Sequence, residues 1–354
     1  MNGSHNPRDP VVPVTASSHP LLAWRRLRRG GLTLSALLVL LAMLVVLAPV
    51  RPVQAARSTR GVGTSLLAPA RSSADRRLPA AATVRFLHVD VGGYKLEMVC
   101  AGQGSPTVVF EAGSGADWST WTYVIPGLLL RPSALIHLHA PGGVQYCAYS
   151  RAGNGNSDPS PYARDSKTIV HELHTLLTRA RIVGPYILVA HSMGGLYVRL
   201  YAYTYPRDVV GMVLVDSSHE DQRAPFQAIG VETCSGPGNY SRPECAAWAR
   251  DQAEGDAARR ARGPHPLGHM PLVVLTATGH PEGLAVWLTL QKDLATLSTN
   301  SRQLVDPLSV HFIQTDQPDF VIEALQKVVY AVRHHSQLPP VRAWRCGDGS
   351  GVCR

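Results

Sequence analysis

Residues 185–206 read P-Y-I-L-V-A-H-S-M-G-G-L-Y-V-R-L-Y-A-Y-T-Y-P, and two periodicities meet inside that stretch. Ile187, Leu188 and Val189 form an unbroken aliphatic run suited to a strand covered on both faces, whereas Leu196, Leu200 and Tyr203 recur at helical spacing. Ser192 falls at the junction. A serine on so sharp a strand-to-helix turn holds strained backbone angles and needs small neighbours; Ala190, Gly194 and Gly195 supply them, with Ala190 in place of the first glycine of G-x-S-x-G. The turn lifts the hydroxyl above the sheet as a nucleophile. It also leaves the backbone N–H of Met193 at a helix N-terminus, where a developing oxyanion can be held. A serine that merely caps the helix is the competing reading of the position.

Outward from this turn, strand and helix signals alternate from Thr83 onward, which predicts an α/β fold with a mainly parallel central sheet and helices on both faces. Residues 84–91 and 94–100 read as an opening hairpin, 107–111 as a strand ending in Ala112-Gly113-Ser114-Gly115, and 118–130 as helical. The strands 146–149, 209–215, 271–276 and 303–305 and the helices 166–180 and 319–332 complete the series. The segment between Asp216 and Pro271 has no strand pattern, and an insertion there is expected to lie over the C-terminal strand ends as a small lid, at about 217–270.

The chain has 354 residues, enough for one large domain plus an extension, and a formal charge of +9. Much of that charge lies in Arg25, Arg26, Arg28 and Arg29 and in the Arg-rich stretch 51–77, with no nucleic-acid-binding motif elsewhere. The four arginines precede 32–50, an almost uninterrupted apolar run long enough to span a bilayer. The expected organisation is therefore a cytoplasmic basic N-terminus at 1–31, a transmembrane signal anchor or signal sequence at 32–50 and a flexible linker at 51–82. A large α/β domain at 83–335 and a tail at 336–354 follow. The domain would face outward, tethered to the cell membrane or, if cleaved near Val53-Gln54-Ala55, secreted.

Six cysteines in an exported domain suit disulfides. Cys234 with Cys245 and Cys346 with Cys353 bracket short loops as local staples; Cys100 and Cys147, each in a predicted strand, could form a third bridge or remain a buried thiol pair.

The turn 112–115, the run Tyr149-Ser150-Arg151-Ala152-Gly153-Asn154-Gly155-Asn156-Ser157, the block 184–206, residues 213–222 and Val310-His311-Phe312-Ile313 together resemble the α/β-hydrolase fold superfamily, in particular its bacterial serine-nucleophile hydrolases and esterases, over roughly 84–335. Two departures stand out: Ala112 where the family often has His, and Ser150 where Asp usually precedes Arg. The resemblance implies a chain order of nucleophile, acid and histidine. His311, between the last strand and the last helix, is the expected general base for Ser192. The acid is expected to be Asp216, at the end of the 209–215 strand, where a strand terminus holds a short carboxylate more rigidly than a loop; Glu282, after the 271–276 strand, is the alternative. The oxyanion donors are expected to be the N–H groups of Met193 and Ser114.

His191 is expected to pack beside the elbow rather than react. His137 and His139 share one strand face without a third ligand signature, so no metal and no organic cofactor is implied. Trp118, Trp121 and Tyr123 suit either an acyl pocket or core packing. The expected activity is that of a serine hydrolase acting on a small-molecule carboxylic ester through an acyl-enzyme. Amidase, peptidase or acyltransferase chemistry on the same fold, or a non-catalytic membrane-tethered binding protein, are the alternatives.

Overall fold

The computed structural model describes residues 84–130, 143–231, 243–279 and 282–341, all within the compact unit Arg76–Arg354. The readings that concern 1–82, Cys234, Cys346, Cys353, His137 and His139 lie outside the described residues.

The strands are β1 (Val84–Asp90), β2 (Lys95–Gly102), β3 (Thr107–Glu111), β4 (Gln145–Tyr149), β5 (Tyr186–His191), β6 (Val209–Val215), β7 (Leu272–Ala277) and β8 (Ser301–Asp306). They form one sheet in the order β1-β2-β4-β3-β5-β6-β7-β8, antiparallel through β1, β2 and β4 and parallel from there on. The helices are α1 (Val124–Leu130), α2 (Ser166–Arg179), α3 (Gly194–Thr204), α4 (Arg223–Ala228), α5 (Pro243–Arg260), α6 (Leu284–Leu294), α7 (Ile313–Asp316) and α8 (Pro318–His334), with a 3-10 turn at Trp118–Trp121. The α/β reading of the sequence therefore holds, and α6 is an element it passed over.

Every residue of β5 is buried, because the strand pairs with β3 on one side and β6 on the other and is covered on both faces. Alternate residues feed two cores. Leu188, Ala190, Met212, Leu214 and Val274 face Val170, Leu173, Leu177 and Val198 of α2 and α3. Ile187, Val189, Val213, Val215 and Leu275 face Val321, Leu325, Val328 and Val329 of α8. The period of two along the strands meets the period of 3.6 along the helices. Each large aliphatic side chain so buried contributes about 1.5–3 kcal/mol. Because this double cover pins the middle of the sheet, the C-terminal ends of β3, β5 and β6 form a rigid ledge, and the loops leaving that ledge carry the site.

The insertion after β6 supplies α4 and α5. Near its start, α5 is tied to the elbow region: Cys245 packs beside Met193, Leu196 and Tyr197, and further along Asp251 accepts from the Ser166 amide at 2.6 Å. Cys100 and Cys147, directly opposite in the antiparallel β2–β4 pair, form a disulfide rather than a thiol pair. Cys245 is also disulfide-bonded. Among the described residues no helix is long and apolar enough to cross a membrane, and 32–50 lies outside them.

Candidate active site

The elbow is built as the sequence predicts. β5 ends at His191, α3 begins at Gly194, and Ser192 between them has φ = 53°. A non-glycine residue in the left-handed region costs of order 1–3 kcal/mol and persists only when its surroundings over-determine it. Here they do: the Ser192 amide donates to Val215 O at 3.2 Å, and its carbonyl accepts from the Ser218 amide at 2.9 Å and the Gly195 amide at 3.0 Å. The close approach also sets the neighbours' size. A Cβ on Gly194 would lie 2.5 Å from Ala112 O, and one on Gly195 would lie 1.6 Å from Ser217 Oγ.

Asp216 follows β6 directly and is fully buried, its φ of 43° held by its amide's bond to Leu275 O at 2.7 Å. His311 stands in the loop between β8 and α7. Its Nδ1 lies 2.7 Å from Asp216 Oδ2 and its Nε2 lies 3.0 Å from Ser192 Oγ. A carboxylate only accepts, so Nδ1 carries the proton and Nε2 is the bare nitrogen that accepts the serine O–H. The other carboxylate oxygen, Oδ1, accepts from the Trp287 indole at 2.7 Å and from the Ala277 amide at 2.9 Å. The alternative acid, Glu282, lies exposed in the turn before α6, while Nδ1 of His311 is engaged by Asp216. Ser192 and His311 remain partly open to solvent, which leaves a face for substrate.

The turn after β3 closes on the nucleophile. A Cβ on Gly113 would sit 3.2 Å from Ser192 Cβ and 2.8 Å from His191 Nδ1, so only glycine allows the approach. The amides of Gly115 and Ala116 are spent on Glu244 Oε2 at 3.1 Å and on Gly113 O at 3.2 Å, which removes both as oxyanion donors. Ser114 lies next to Gly113 in that turn, half-buried; Met193, buried, sits at the N-terminus of α3 with helical dihedrals.

His191 packs beside the elbow, as expected, and does more. Its Nε2 lies 2.9 Å from His311 O and must therefore donate to it, which ties the His311 loop to the strand that leads to Ser192. Burial, followed by the proximity of His311, pushes its pKa down to about 3, so it stays neutral under ordinary conditions.

Trp121 is buried against Phe110 at 5.1 Å between ring centroids and belongs to the core; Trp118 packs edge-on to Phe86, and Tyr123 is exposed. Leu308, Val310 and Phe312, near His311 in the chain, are exposed, and the Phe312 ring lies edge-on to the His311 ring at 5.2 Å between centroids. Sequence reasoning missed Trp287, which sits on the unrecognised α6, and the partners of Arg151, although the Arg151 motif itself was in view. Among the described residues no group of three or more His, Cys, Asp or Glu is arranged to hold a metal ion.

A family model described as the alpha/beta hydrolase fold matches residues 106–232. The uncharacterised protein YqjL of Bacillus subtilis is 29% identical over 230 residues, covering 64% of this chain and 85% of YqjL. YbdG of the same organism is 28% identical over 144 residues, 41% of each chain. Among solved structures, a thermophilic esterase from Thermogutta terrifontis is 16% identical with a TM-score of 0.50, covering 70% of this chain and 99% of that one. A putative acyltransferase from Salmonella enterica is 17% identical with a TM-score of 0.50, covering 73% and 98%. At these identities the likeness to solved structures is one of fold.

Proposed function

We propose that this chain, which has the α/β-hydrolase fold, is a serine hydrolase that cleaves carboxylic esters through an acyl-enzyme. The observation that carries the reading is the unbroken line from Ser192 Oγ through His311 to Asp216, with steps of 3.0 and 2.7 Å. In the proposed reaction Ser192 Oγ attacks the ester carbonyl as its proton passes to His311 Nε2. Asp216, held from its other side by Trp287 and Ala277, keeps the imidazole oriented and faces the imidazolium that forms. The tetrahedral oxyanion is received by the N–H groups of Met193 and Ser114. Collapse expels the alcohol, which takes the proton from Nε2. A water molecule, deprotonated by the same nitrogen, then attacks the acyl-enzyme and releases the acid and Ser192. The exposed Phe312 ring beside His311 favours esters with an apolar acyl or alcohol part.

A fluorophosphonate probe tests this directly: it labels Ser192 in the folded protein, and Ser192→Ala loses both labelling and hydrolysis of p-nitrophenyl esters. A folded wild type that takes no label would refute catalysis by Ser192 and favour a binding role. Parallel ester and amide panels separate esterase from amidase or peptidase action, and an added alcohol acceptor separates hydrolysis from acyl transfer.

We further propose that the domain works outside the cytoplasmic membrane, tethered through 32–50. That apolar run, the four arginines before it and the Cys100–Cys147 bridge support the placement, since disulfides persist in oxidising compartments. Accessibility of the domain to protease added outside intact cells tests it; full protection would reject it.

A further inference from the structure

A cluster of buried charge lies against the turn assigned to the oxyanion, and the reaction as drawn makes no use of it. Arg151 leaves the end of β4, Glu111 is the last residue of β3, and Glu244 is the second residue of α5, far along the insertion. Their side chains are 1%, 1% and 5% exposed. Glu244 grips the guanidinium at two points, Oε1 to Nε at 2.7 Å and Oε2 to Nη2 at 2.9 Å, and its Oε2 also accepts from the Gly115 amide at 3.1 Å. Arg151 then donates from Nη1 to Ala112 O at 2.7 Å and to Glu111 at 2.5 Å, and from Nη2 to Gly113 O at 2.6 Å. Three backbone polar groups of a four-residue turn are thus held by one ion pair.

Stability alone is a poor reason for such an arrangement. Desolvating three charges costs several kcal/mol each, and buried pairs of this kind often do no better than well-packed apolar side chains. What the arrangement does supply is direction. A peptide unit is planar and trans, so its C=O and N–H point opposite ways. Drawing Gly113 O toward Arg151 turns the Ser114 N–H to the other side of the turn, and drawing Ala112 O the same way does likewise for the Gly113 N–H. Gly113 itself abuts Ser192 and His191, which a Cβ there would meet at 3.2 and 2.8 Å.

We propose that Glu244 is a positioning residue for the oxyanion hole: from the insertion helix it orients Arg151, whose guanidinium sets the Gly113–Ser114 peptide so that the Ser114 N–H faces the reacting carbonyl. The inference rests on the serine-hydrolase reading and assigns the insertion a part in the chemistry. Glu244 is the firmer of the two acidic partners. Burial pushes its carboxyl up, but Arg151 outweighs burial and holds it below the usual range, whereas burial leaves Glu111 raised.

The test compares p-nitrophenyl esters with their thionocarbonyl counterparts, whose sulfur is a weaker acceptor and depends less on oxyanion donors. Rates are normalised to Ser192 titrated with fluorophosphonate. E244A is expected to lower kcat for the oxo-ester by about tenfold or more with KM changed by less than about threefold, and to lower the oxo/thiono rate ratio in step. E244Q, which keeps one acceptor for Arg151, is expected to fall between E244A and wild type. E254Q, on the same helix but paired with Lys167 at 3.0 Å, leaves the ratio unchanged. An unchanged ratio in E244A, or in E244Q should E244A fail to fold, overturns the inference whatever happens to melting temperature. A wild type that fluorophosphonate does not label overturns the serine-hydrolase reading instead.

Discussion

The indole N–H of Trp287 donates to Oδ1 of Asp216 at 2.7 Å, so the carboxylate that meets His311 is braced by an aromatic side chain 71 residues downstream. Trp287 is buried on α6 and packs against Phe226 at 6.2 Å between ring centroids. Trp287→Phe keeps that packing and removes the indole donor, while the Ala277 amide still donates to Oδ1. A lost hydrogen bond to a charged group is worth about 1.5–3 kcal/mol. With part of that expressed in the transition state, kcat is expected to fall about tenfold with KM unchanged. Steady-state kinetics on the folded variant checks this; a kcat equal to wild type would mean that the indole bond is not needed to fix the carboxylate.

Asp216→Asn and Glu282→Gln separate the two acids. The amide at 216 offers His311 a donor where it needs an acceptor and favours the wrong tautomer, so kcat is expected to fall by roughly 10³–10⁴. Glu282 is exposed and Glu282→Gln should leave kcat within about twofold. Comparable losses in the two variants would remove Asp216 from the relay.

His191→Gln and His191→Leu test the bond to the His311 carbonyl. Gln can place its Nε2–H near the imidazole donor's position, whereas Leu fills space without donating. The expected order of kcat is wild type, then His191→Gln, then His191→Leu, the last about tenfold or more below wild type because the base's loop is less well placed. Equal rates in the two variants would reduce His191 to packing.

Burial pushes the Asp251 carboxyl up from 3.8 to about 7, against the opposing bond from Ser166. The folded state therefore holds a proton between pH 4 and 7 that the unfolded chain has released, so this residue makes stability fall as pH rises through that window and level off above it. The full displacement corresponds to at most about 4 kcal/mol. Urea unfolding at pH 4.5 and 7.5 should show Asp251→Asn gaining stability relative to wild type at the higher pH. A difference between the two proteins that does not change with pH would contradict the assignment.

The Cys100–Cys147 bridge closes a loop with a sequence separation of 47. Restricting the unfolded chain to that extent stabilises by about 2–4 kcal/mol. The double Cys→Ala variant is expected to lose that much in denaturant unfolding, while the kcat of its folded fraction stays at the wild-type value, because β2 and β4 carry no part of the relay.

Much of this was legible locally. The apolar run 187–189 beside the helical spacing of Leu196, Leu200 and Tyr203 needs only neighbours within a turn or two, and β5, α3 and Ser192 came out where those periods place them. His311 was legible by its place between the last strand and last helix. The helix α6 was not, since it lies in a stretch read only for a triad acid, and Trp287 went with it.

Chain-local chemistry thus determined the strand and helix alternation, the strained serine and the loop position of His311, because dihedral preference and side-chain period are short-range properties of the polypeptide. Which carboxylate meets His311 was decided by tertiary structure, as was the pairing of Cys100 with Cys147 and the placing of Arg151 and Glu244 together against the Gly113–Ser114 turn. Those contacts join residues 38 to 129 positions apart. Their geometry depends on strand order and on helices docking across the sheet, quantities that no local window of residues contains.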